Sequence, residues 1–409
     1  MSDGSRIGTD VVIVGASVAG CTAATLLGRQ GVRVTLLEKT TKPDHYKVVC
    51  GHYIQAGGTP VIRRLGLAEP MEAAGAVRNG LEVWTRYGWY RPEGDLHYGY
   101  NLRRSRLDPM LREMAAAAPN VELRRGVTVT GITRDEAGRP SGVTGRTPKG
   151  ERVEVAARVV VGADGRTATV ARLAGVPGRV RAHGRFAYMR YFTGIELDAP
   201  DNRTMFWFRD RDVLYAFPNE DGVVAMAAFL HNDHLPAFKA DKDEAHYATF
   251  EGLPRAPRLR EATPISPLIG KLDMPNVMRP AARPGVAFVG DAAQASDPVW
   301  GVGIGFAFQS AEWLADEIAG PLLAGGDVDA ALERYRRRHV RFMALHHWTM
   351  SDYATGRPFN LMDKIIHKGA TRDARTARLV HRMGSREEPL DHVLRPRGIA
   401  RAARAAVAR

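Results

Sequence analysis

The first forty residues hold the tightest constraint in this chain. Asp10-Val11-Val12-Ile13-Val14 is a short apolar run that reads as a buried parallel strand, and Gly15-Ala16-Ser17-Val18-Ala19-Gly20 then opens a helix that continues through Arg29. Gly31 and a second strand, Arg33 to Leu37, follow, and Glu38 closes the unit with Lys39 beside it. Strand, glycine turn, helix, strand and terminal acid within about 30 residues is the order in which a βαβ unit binds adenosine diphosphate. Gly15 permits the tight turn and Gly20 lets helix and strand approach. The helix N-terminus at Ser17, Val18 and Ala19 offers unpaired N–H groups and a positive dipole to a pyrophosphate. Glu38 is placed to accept from the adenosine ribose, and an acid there selects a free 2′-hydroxyl over a 2′-phosphate. Ser17 stands where G-x-G-x-x-G has its middle glycine, and it is small enough to leave the backbone close to the phosphate.

Two later turns repeat the strand-then-glycine pattern. Val159-Val160-Val161-Gly162-Ala163-Asp164-Gly165 is a second buried strand ending in a Gly/Asp turn, followed by a helix-like segment from Thr167 to Leu173. Gly285 to Val289 leads into Gly290-Asp291-Ala292-Ala293, and Pro298, Gly301, Gly303, Ile304 and Gly305 then precede a long helix. Between these turns Arg185 to Leu197, Thr204 to Phe217 and Gly222 to Leu230 read as β-strands joined by polar turns, which predicts a second lobe on an antiparallel sheet. Alternation along them makes Tyr188, Arg190, Phe206, Phe208 and Phe217 candidates for the wall of an apolar, roughly planar pocket; the alternative is ordinary core.

The order of these motifs makes residues 8 to 325 resemble the class A flavoprotein monooxygenase superfamily, which includes para-hydroxybenzoate hydroxylase, geranylgeranyl reductases and flavin-dependent halogenases. The resemblance implies FAD and an α/β architecture: a Rossmann-type FAD-binding domain (GR2-like), an inserted antiparallel β-sheet substrate domain and a C-terminal helical region. Residues 1–75, 100–182 and 280–325 would form the first, 76–99 and 183–279 the second, and 326–409 the third. It further implies that Asp164 and Gly165 lie near FAD and nicotinamide, that Gly290 and Asp291 reach the ribityl chain, and that Pro298 to Gly305 passes the isoalloxazine. A helix opening there stabilises negative charge on the reduced flavin. Arg104, four residues before Asp108, resembles the arginine at the start of the family's next FAD-contacting helix. Lys47 to Gln55 occupies the place where the family's chain passes the flavin, so Cys50, His52 and Gln55 are candidates for flavin or substrate contact; an inert buried thiol is the other reading of Cys50.

In a monooxygenase of this class NADPH or NADH reduces the flavin, O2 adds to give a C4a-hydroperoxide, and oxygen passes to the substrate. The expected activity is hydroxylation or epoxidation of an apolar or aromatic small molecule, a secondary metabolite, with a partner flavin reductase as another source of electrons. Reduction of prenyl chains is the main alternative, because Gly303-Ile304-Gly305 resembles the reductase and halogenase branches. Halogenation is disfavoured: the relatives' W-x-W-x-I-P motif is absent, and the comparable strand reads Leu214-Tyr215-Ala216-Phe217-Pro218. A flavin-bound scaffold without turnover is the non-enzymatic reading.

Composition narrows the remaining classes. Hydrophobic residues at 44% and charged residues at 25% of 409 predict a compact fold of more than one lobe. Cys21 and Cys50 are the two cysteines, so neither a disulfide framework nor a cysteine metal site is available, and a cytoplasmic location is expected. His231, Asp233 and His234 lack a third ligand and read as a polar loop, so no metal is expected. No apolar run approaches the roughly 20 residues of a membrane span. The net charge of +13 comes from scattered arginines without a nucleic-acid motif. Only Arg395, Arg397, Arg401, Arg404 and Arg409 are concentrated; they read as a solvated helix or as a patch for a membrane or an acidic partner. From Glu312 the chain reads as helices, among them Ala330 to Trp348, with Val340, Met343 and Leu345 expected to pack on the first lobe.

Overall fold

The computed structural model describes residues 6–92 and 98–408. Residues 1–5 and 93–97, which fall within the expected segments 1–75 and 76–99, lie outside the described residues, as does Arg409. In chain order the principal elements are β1 (Arg6–Val14), α1 (Val18–Arg29), β2 (Val34–Glu38), β3 (Leu81–Thr85), β4 (Gly88–Tyr90), α2 (Arg104–Ala117) and β5 (Val121–Arg125). The hairpin β6 (Thr128–Arg134) and β7 (Pro140–Arg146) leads to β8 (Arg152–Gly162). Then come β9 (Arg185–Thr193), β10 (Thr204–Arg209), β11 (Asp212–Pro218), β12 (Val224–His231) and β13 (Val286–Phe288). Helices α3 (Gly303–Ala324), α4 (Val328–Tyr353), α5 (Leu361–Ala370), α6 (Ala374–Ser385) and α7 (Pro396–Val407) complete the chain.

β1 is central in the first sheet, whose order is β13, β8, β1, β2, β5, all parallel, with the β6–β7 hairpin added antiparallel to β8. Val11, Val12 and Ile13 have no exposed surface, as the unbroken apolar run requires when helices cover both faces of a parallel strand. This α/β layer is the architecture expected from the glycine turn.

The second sheet runs β9, β12, β11, β10, β3, β4 and is antiparallel except where β10 pairs in parallel with β3. The stretch 204–217 is broken in two at Asp210, whose φ of 58° reverses the chain. Alternation divides the sheet's side chains between two apolar clusters. Met189, Phe206, Phe208, Tyr215, Phe217 and Ala227 face Tyr53, Val299 and Trp300 together with residues of α4 to α6. Phe186, Tyr188, Phe192 and Trp207 face Phe238 and Phe250, on the helices Leu235–Ala240 and Lys242–Phe250. Tyr53–Ile54 belongs to a small three-stranded sheet with Gly99–Asn101 and Val77–Asn79, which carries the segment around residue 52 between the two large sheets.

The C-terminal helices pack as expected only in part. Met343 is buried in the first lobe's core, but Val340 and Leu345 are 37% and 38% exposed. All three lie on α4, and a helix packed on one side has only one stripe against its neighbour. The basic tail forms α7, with Ala402 and Ala406 buried and Arg397, Arg401 and Arg404 exposed. No described helix is long and apolar enough to cross a membrane.

Candidate active site at the glycine turn and the 297–305 loop

Gly15 has a φ of 108°, and a Cβ there would stand 2.5 Å from the Ala163 carbonyl oxygen; a Cβ on Gly20 would overlap the carbonyl oxygen of Gly15. Both glycines are therefore dictated by contact, because β1, β8 and the start of α1 meet with no room for a side chain. Ser17 is the N-cap of α1 but makes no capping bond, so the first turn keeps its N–H groups for an outside acceptor. Glu38, at the end of β2, accepts from the backbone N–H of Ala16 and of Thr40, each at 2.9 Å. Its carboxylate thus stands beside the glycine turn, while Lys39 points to solvent.

The Ser17 hydroxyl accepts instead from Arg104. This buried arginine donates to both carboxylate oxygens of Asp108, at 2.6 and 2.9 Å, and through Nη2 to Ser17 at 2.7 Å. Its backbone N–H donates to His52 Nδ1 at 3.1 Å. That bond fixes the imidazole proton on Nε2, which lies 2.7 Å from the Tyr191 oxygen; the Tyr191 hydroxyl in turn donates to the Cys50 carbonyl at 2.9 Å. His52 is 3% exposed, and burial pushes its pKa down to about 3, so it is neutral here. Its φ of 64° is uncommon for a residue with a side chain, and such positions gather at functional sites.

The two Gly/Asp turns close on the same region. Asp164 caps the following helix through Oδ2 and Val170 N–H, while its Oδ1 is buried without a hydrogen-bond partner; burial raises its carboxyl pKa. Gly165 follows with φ of 71°. Gly290 donates to the Ser310 hydroxyl and lies against Ala19 and Ala307, so the second turn is wedged between α1 and α3. Asp291 reaches Lys47 Nζ at 3.3 Å and Arg166 Nε at 3.8 Å, and its Oδ1 lies 3.8 Å from where a Cβ on Gly303 would stand.

Pro298–Trp300 is a single 3-10 turn, capped by Asp297 accepting from Val299 N–H at 2.9 Å. Gly301 is left-handed and a Cβ there would meet the Tyr53 ring at 2.7 Å. Val302, the N-cap of α3, supplies no side-chain bond, so the N–H groups of Gly303, Ile304 and Gly305 form an uncapped positive helix end. Gln55 donates to the Trp300 carbonyl at 2.7 Å and brings the 50–55 segment against this loop.

The sequence candidates for a substrate wall separate by face. Phe206, Phe208 and Phe217 lie on the side of the 297–305 loop: Phe208 is 5.1 Å from the Trp300 ring, and Phe206 and Phe217 are 5.8 and 5.5 Å from Tyr53. Tyr188 and Arg190 correct the expectation, because they point to the opposite face, where Tyr188 stacks on Phe238 at 4.8 Å and Arg190 pairs with Asp243. Period two puts Tyr191, not its neighbours, on the loop side. Sequence reading missed Tyr191 and Asp297, although the parity of β9 held the signal for the first, and it did not single out Tyr53 and Trp300 within the two segments placed at the flavin. His231, Asp233 and His234 sit at a loop with Arg211, where His231 and Arg211 both contact Asp233.

These features suit a bound dinucleotide. The turn around Gly15 and Gly20 has no side chain in the way, the ends of α1 and α3 offer free N–H groups, and the orphaned Oδ1 of Asp164 needs a donor. Comparisons point the same way. Tryptophan 2-halogenase of Chondromyces crocatus is 25% identical over 350 residues, 80% of this chain and 64% of that protein. Squalene epoxidase 3 of Arabidopsis thaliana is 27% identical over 320 residues, 75% of this chain and 59% of that protein. The chain thus spans about three fifths of the length of these two relatives. 6-Methylpretetramide 4-monooxygenase of Streptomyces rimosus is 29% identical over 332 residues, 76% of this chain and 74% of that protein. A geranylgeranyl bacteriochlorophyll reductase-like structure from Thermoplasma acidophilum superimposes with a TM-score of 0.69 at 20% identity, covering 97% of this chain and 96% of that one. Residues 8–348 match the family model described as FAD binding domain, and the chain belongs to that family, among the class A flavoproteins.

Proposed function

We propose that this protein is an FAD-dependent monooxygenase that hydroxylates or epoxidises an apolar or aromatic small molecule, a secondary metabolite, using O2 and NADPH or NADH. The observation that carries the reading is the uncapped start of α3 at Gly303–Gly305 beside the aromatic group Tyr53, Phe206, Phe208, Phe217 and Trp300. In this reading Gly15 to Gly20 and Arg104 hold the pyrophosphate side of FAD, Glu38 the adenosine ribose, Asp291 the ribityl chain, and Asp164 lies near FAD and the nicotinamide. When bound, FAD supplies the redox and oxygen-transfer chemistry. The chain supplies the rest: the α3 N–H groups stabilise negative charge at the pyrimidine edge, and the aromatic wall excludes water and orients a flat substrate. On the same reading residues 1–75, 100–182 and 280–325 hold the cofactor, residues 76–99 and 183–279 hold the substrate, and 326–409 pack as a helical region. Two cysteines, both free, suit a reducing cytoplasm.

Electrons come directly from the nicotinamide or through a partner flavin reductase, and supplying each in turn distinguishes them. The decisive experiment incubates FAD-loaded protein with NADPH, 18O2 and a panel of polycyclic aromatic and polyene compounds, followed by mass spectrometry. A product heavier by one labelled oxygen is the expected outcome. A product heavier by two hydrogens and free of label would replace this reading with prenyl-type reduction, for which Gly303-Ile304-Gly305 and the reductase-like structural neighbour speak.

A further inference from the structure

Arg185 and Asp297 form a buried ion pair between the second sheet and the 297–305 loop. Neither side chain has exposed surface, and Arg185 Nη1 lies 3.9 Å from Asp297 Oδ2. At that distance the two groups share charge but no hydrogen bond. Arg185 Nη1 and Nη2 and Asp297 Oδ2 are all buried without a hydrogen-bond partner. Burial raises the Asp297 carboxyl pKa, and the Arg185 charge opposes that rise. A pair of this geometry recovers little of the cost of taking two charges out of water, and apolar replacement of both partners is commonly neutral or stabilising. Stability alone does not account for it.

Its place in the fold does. Arg185 opens β9 on the same face as Met189 and Tyr191. Its Nε donates to the Arg211 carbonyl at 2.7 Å, and its guanidinium lies 4.4 Å over the ring of Tyr353, the last residue of α4. That ring also packs on Trp300, with centroids 6.1 Å apart. Asp297 is the one charged residue between Asp291 and Glu312. Its N–H donates to Asn276 Oδ1 at 2.7 Å, its Oδ1 accepts from Val299 N–H, and the Val299 carbonyl accepts from the Tyr215 hydroxyl of β11. The 3-10 turn and the left-handed Gly301 follow at once, so the position of Asp297 sets the direction in which α3 begins.

We propose that Arg185 and Asp297 are positioning residues, whose charge pair holds the start of α3 at the place where its N–H groups meet the flavin. The inference rests on the placement of FAD at the 297–305 loop in the reading above and is independent of oxygen transfer. Hydrogen bonds alone let a loop shift and find new partners in water, whereas moving Asp297 away strands two buried charges. The N–H groups of Gly303 to Gly305 favour the negatively charged reduced flavin over the oxidised form. A loop released from the second sheet loses part of that preference, and the two-electron potential of bound FAD falls.

The test measures the potential of FAD-loaded protein by anaerobic reduction against a reference dye, with FAD affinity read by fluorescence. The variant Arg185→Met/Asp297→Asn removes both charges, keeps the net charge and leaves an amide oxygen to accept from Val299. We expect it to fold and hold FAD, with the reduced flavin disfavoured about tenfold, a fall of about 30 mV. Trp207→Phe loses a hydrogen bond to the Pro254 carbonyl on the opposite face of the sheet and should change that ratio less than twofold. A ratio within twofold of wild type in the double variant, whatever its stability, would overturn the proposal. If the double variant does not hold FAD, Arg185→Lys takes its place; it keeps the charge but loses the flat stack on Tyr353, with an expected effect of about threefold, and no effect there would equally overturn the proposal. Gly303→Ala separates this failure from that of the reading beneath it. Its methyl stands 3.8 Å from Asp291 Oδ1, in the space assigned to the flavin, and should weaken FAD at least tenfold. If it does so while the pair variants keep the wild-type potential, FAD stays at the loop and the pair has no positioning role. If it leaves FAD affinity unchanged, the flavin is not at the loop and the inference falls with the reading.

Discussion

The Arg104 guanidinium donates to the Ser17 hydroxyl at 2.7 Å across a separation of 87 residues, tying the start of α2 to the glycine turn. Ser17 occupies the place of the fingerprint's middle glycine, so the departure from the motif has its own partner. Nε and Nη2 of Arg104 also donate to Asp108, and that pair is buried, with side chains 4% and 2% exposed. Arg104→Met leaves a buried carboxylate without its counter-ion, for which about 3–5 kcal/mol of stability is the usual loss. Ser17→Gly removes one hydroxyl contact, costs about 1 kcal/mol and keeps flavin. Urea unfolding of the two variants, with flavin absorbance read on the same samples, checks the contrast; equal losses would refute the relay.

Glu38 tests the adenosine end. Glu38→Gln keeps the shape of the side chain but removes the charge that accepts from the Ala16 and Thr40 N–H groups and is assigned to the ribose. A hydrogen bond to a charged group contributes about 1.5–3 kcal/mol, so the FAD dissociation constant should rise roughly ten- to a hundredfold. FMN has no adenosine, and its weaker binding should not change. Fluorescence titration with both flavins decides the matter, since equal effects on FAD and FMN would move Glu38 away from the ribose.

How much of this was legible beforehand depends on the range of the interactions. The β1–α1–β2 unit is local: an apolar strand, two contact-forced glycines and an acid lie within one stretch, and the strand, turn, helix and strand form where the sequence places them. Sheet faces were less legible. Tyr188 and Tyr191 are both aromatic members of β9, and only the partner layer decides what each faces, here Phe238 for Tyr188 and the His52 segment for Tyr191. The link from Arg104 through His52 to Tyr191 was hidden for the same reason, because residues 52, 104 and 191 come together only when the small sheet at Tyr53 joins the two lobes. Exposure of Val340 and Leu345 shows the limit of helical periodicity, which counts apolar positions without knowing where the neighbour ends.

Tyr191 hydrogen-bonds from the second sheet to the His52 segment at two points. Tyr191→Phe leaves the Cys50 carbonyl without its donor and the His52 Nε2 proton without its acceptor. Each unsatisfied buried group costs about 1–3 kcal/mol, so the variant should unfold at lower urea with its flavin still bound at the start of the titration. His52→Asn in the same background should add little, because the relay is already broken. Additive losses in the double variant would show that the two side chains act separately.

Acid should unfold this protein through its histidines before its carboxylates. Burial pushes His52 and His346 down to about 3, and His246, His339, His347 and His367 down to about 4. An unfolded histidine titrates near 6.5, so below that pH the unfolded chain binds protons that the folded chain refuses, and stability falls as pH falls. Each histidine contributes a slope approaching about 1.4 kcal/mol per pH unit between roughly pH 5.5 and its folded value, and the six act in one window. Carboxylates with lowered pKa values, such as Glu72 at about 2, lose their contribution only below about pH 4.5. Urea midpoints measured at pH 7.5, 6.5 and 5.5 should therefore fall modestly between the first two and drop sharply at the third. His246 stacks on Phe192, with ring centroids 6.2 Å apart, in an apolar layer that accepts another aromatic ring, so His246→Phe should lower the slope by about one proton. A midpoint that stays constant down to pH 5 would mean that these imidazoles are protonated in the folded state.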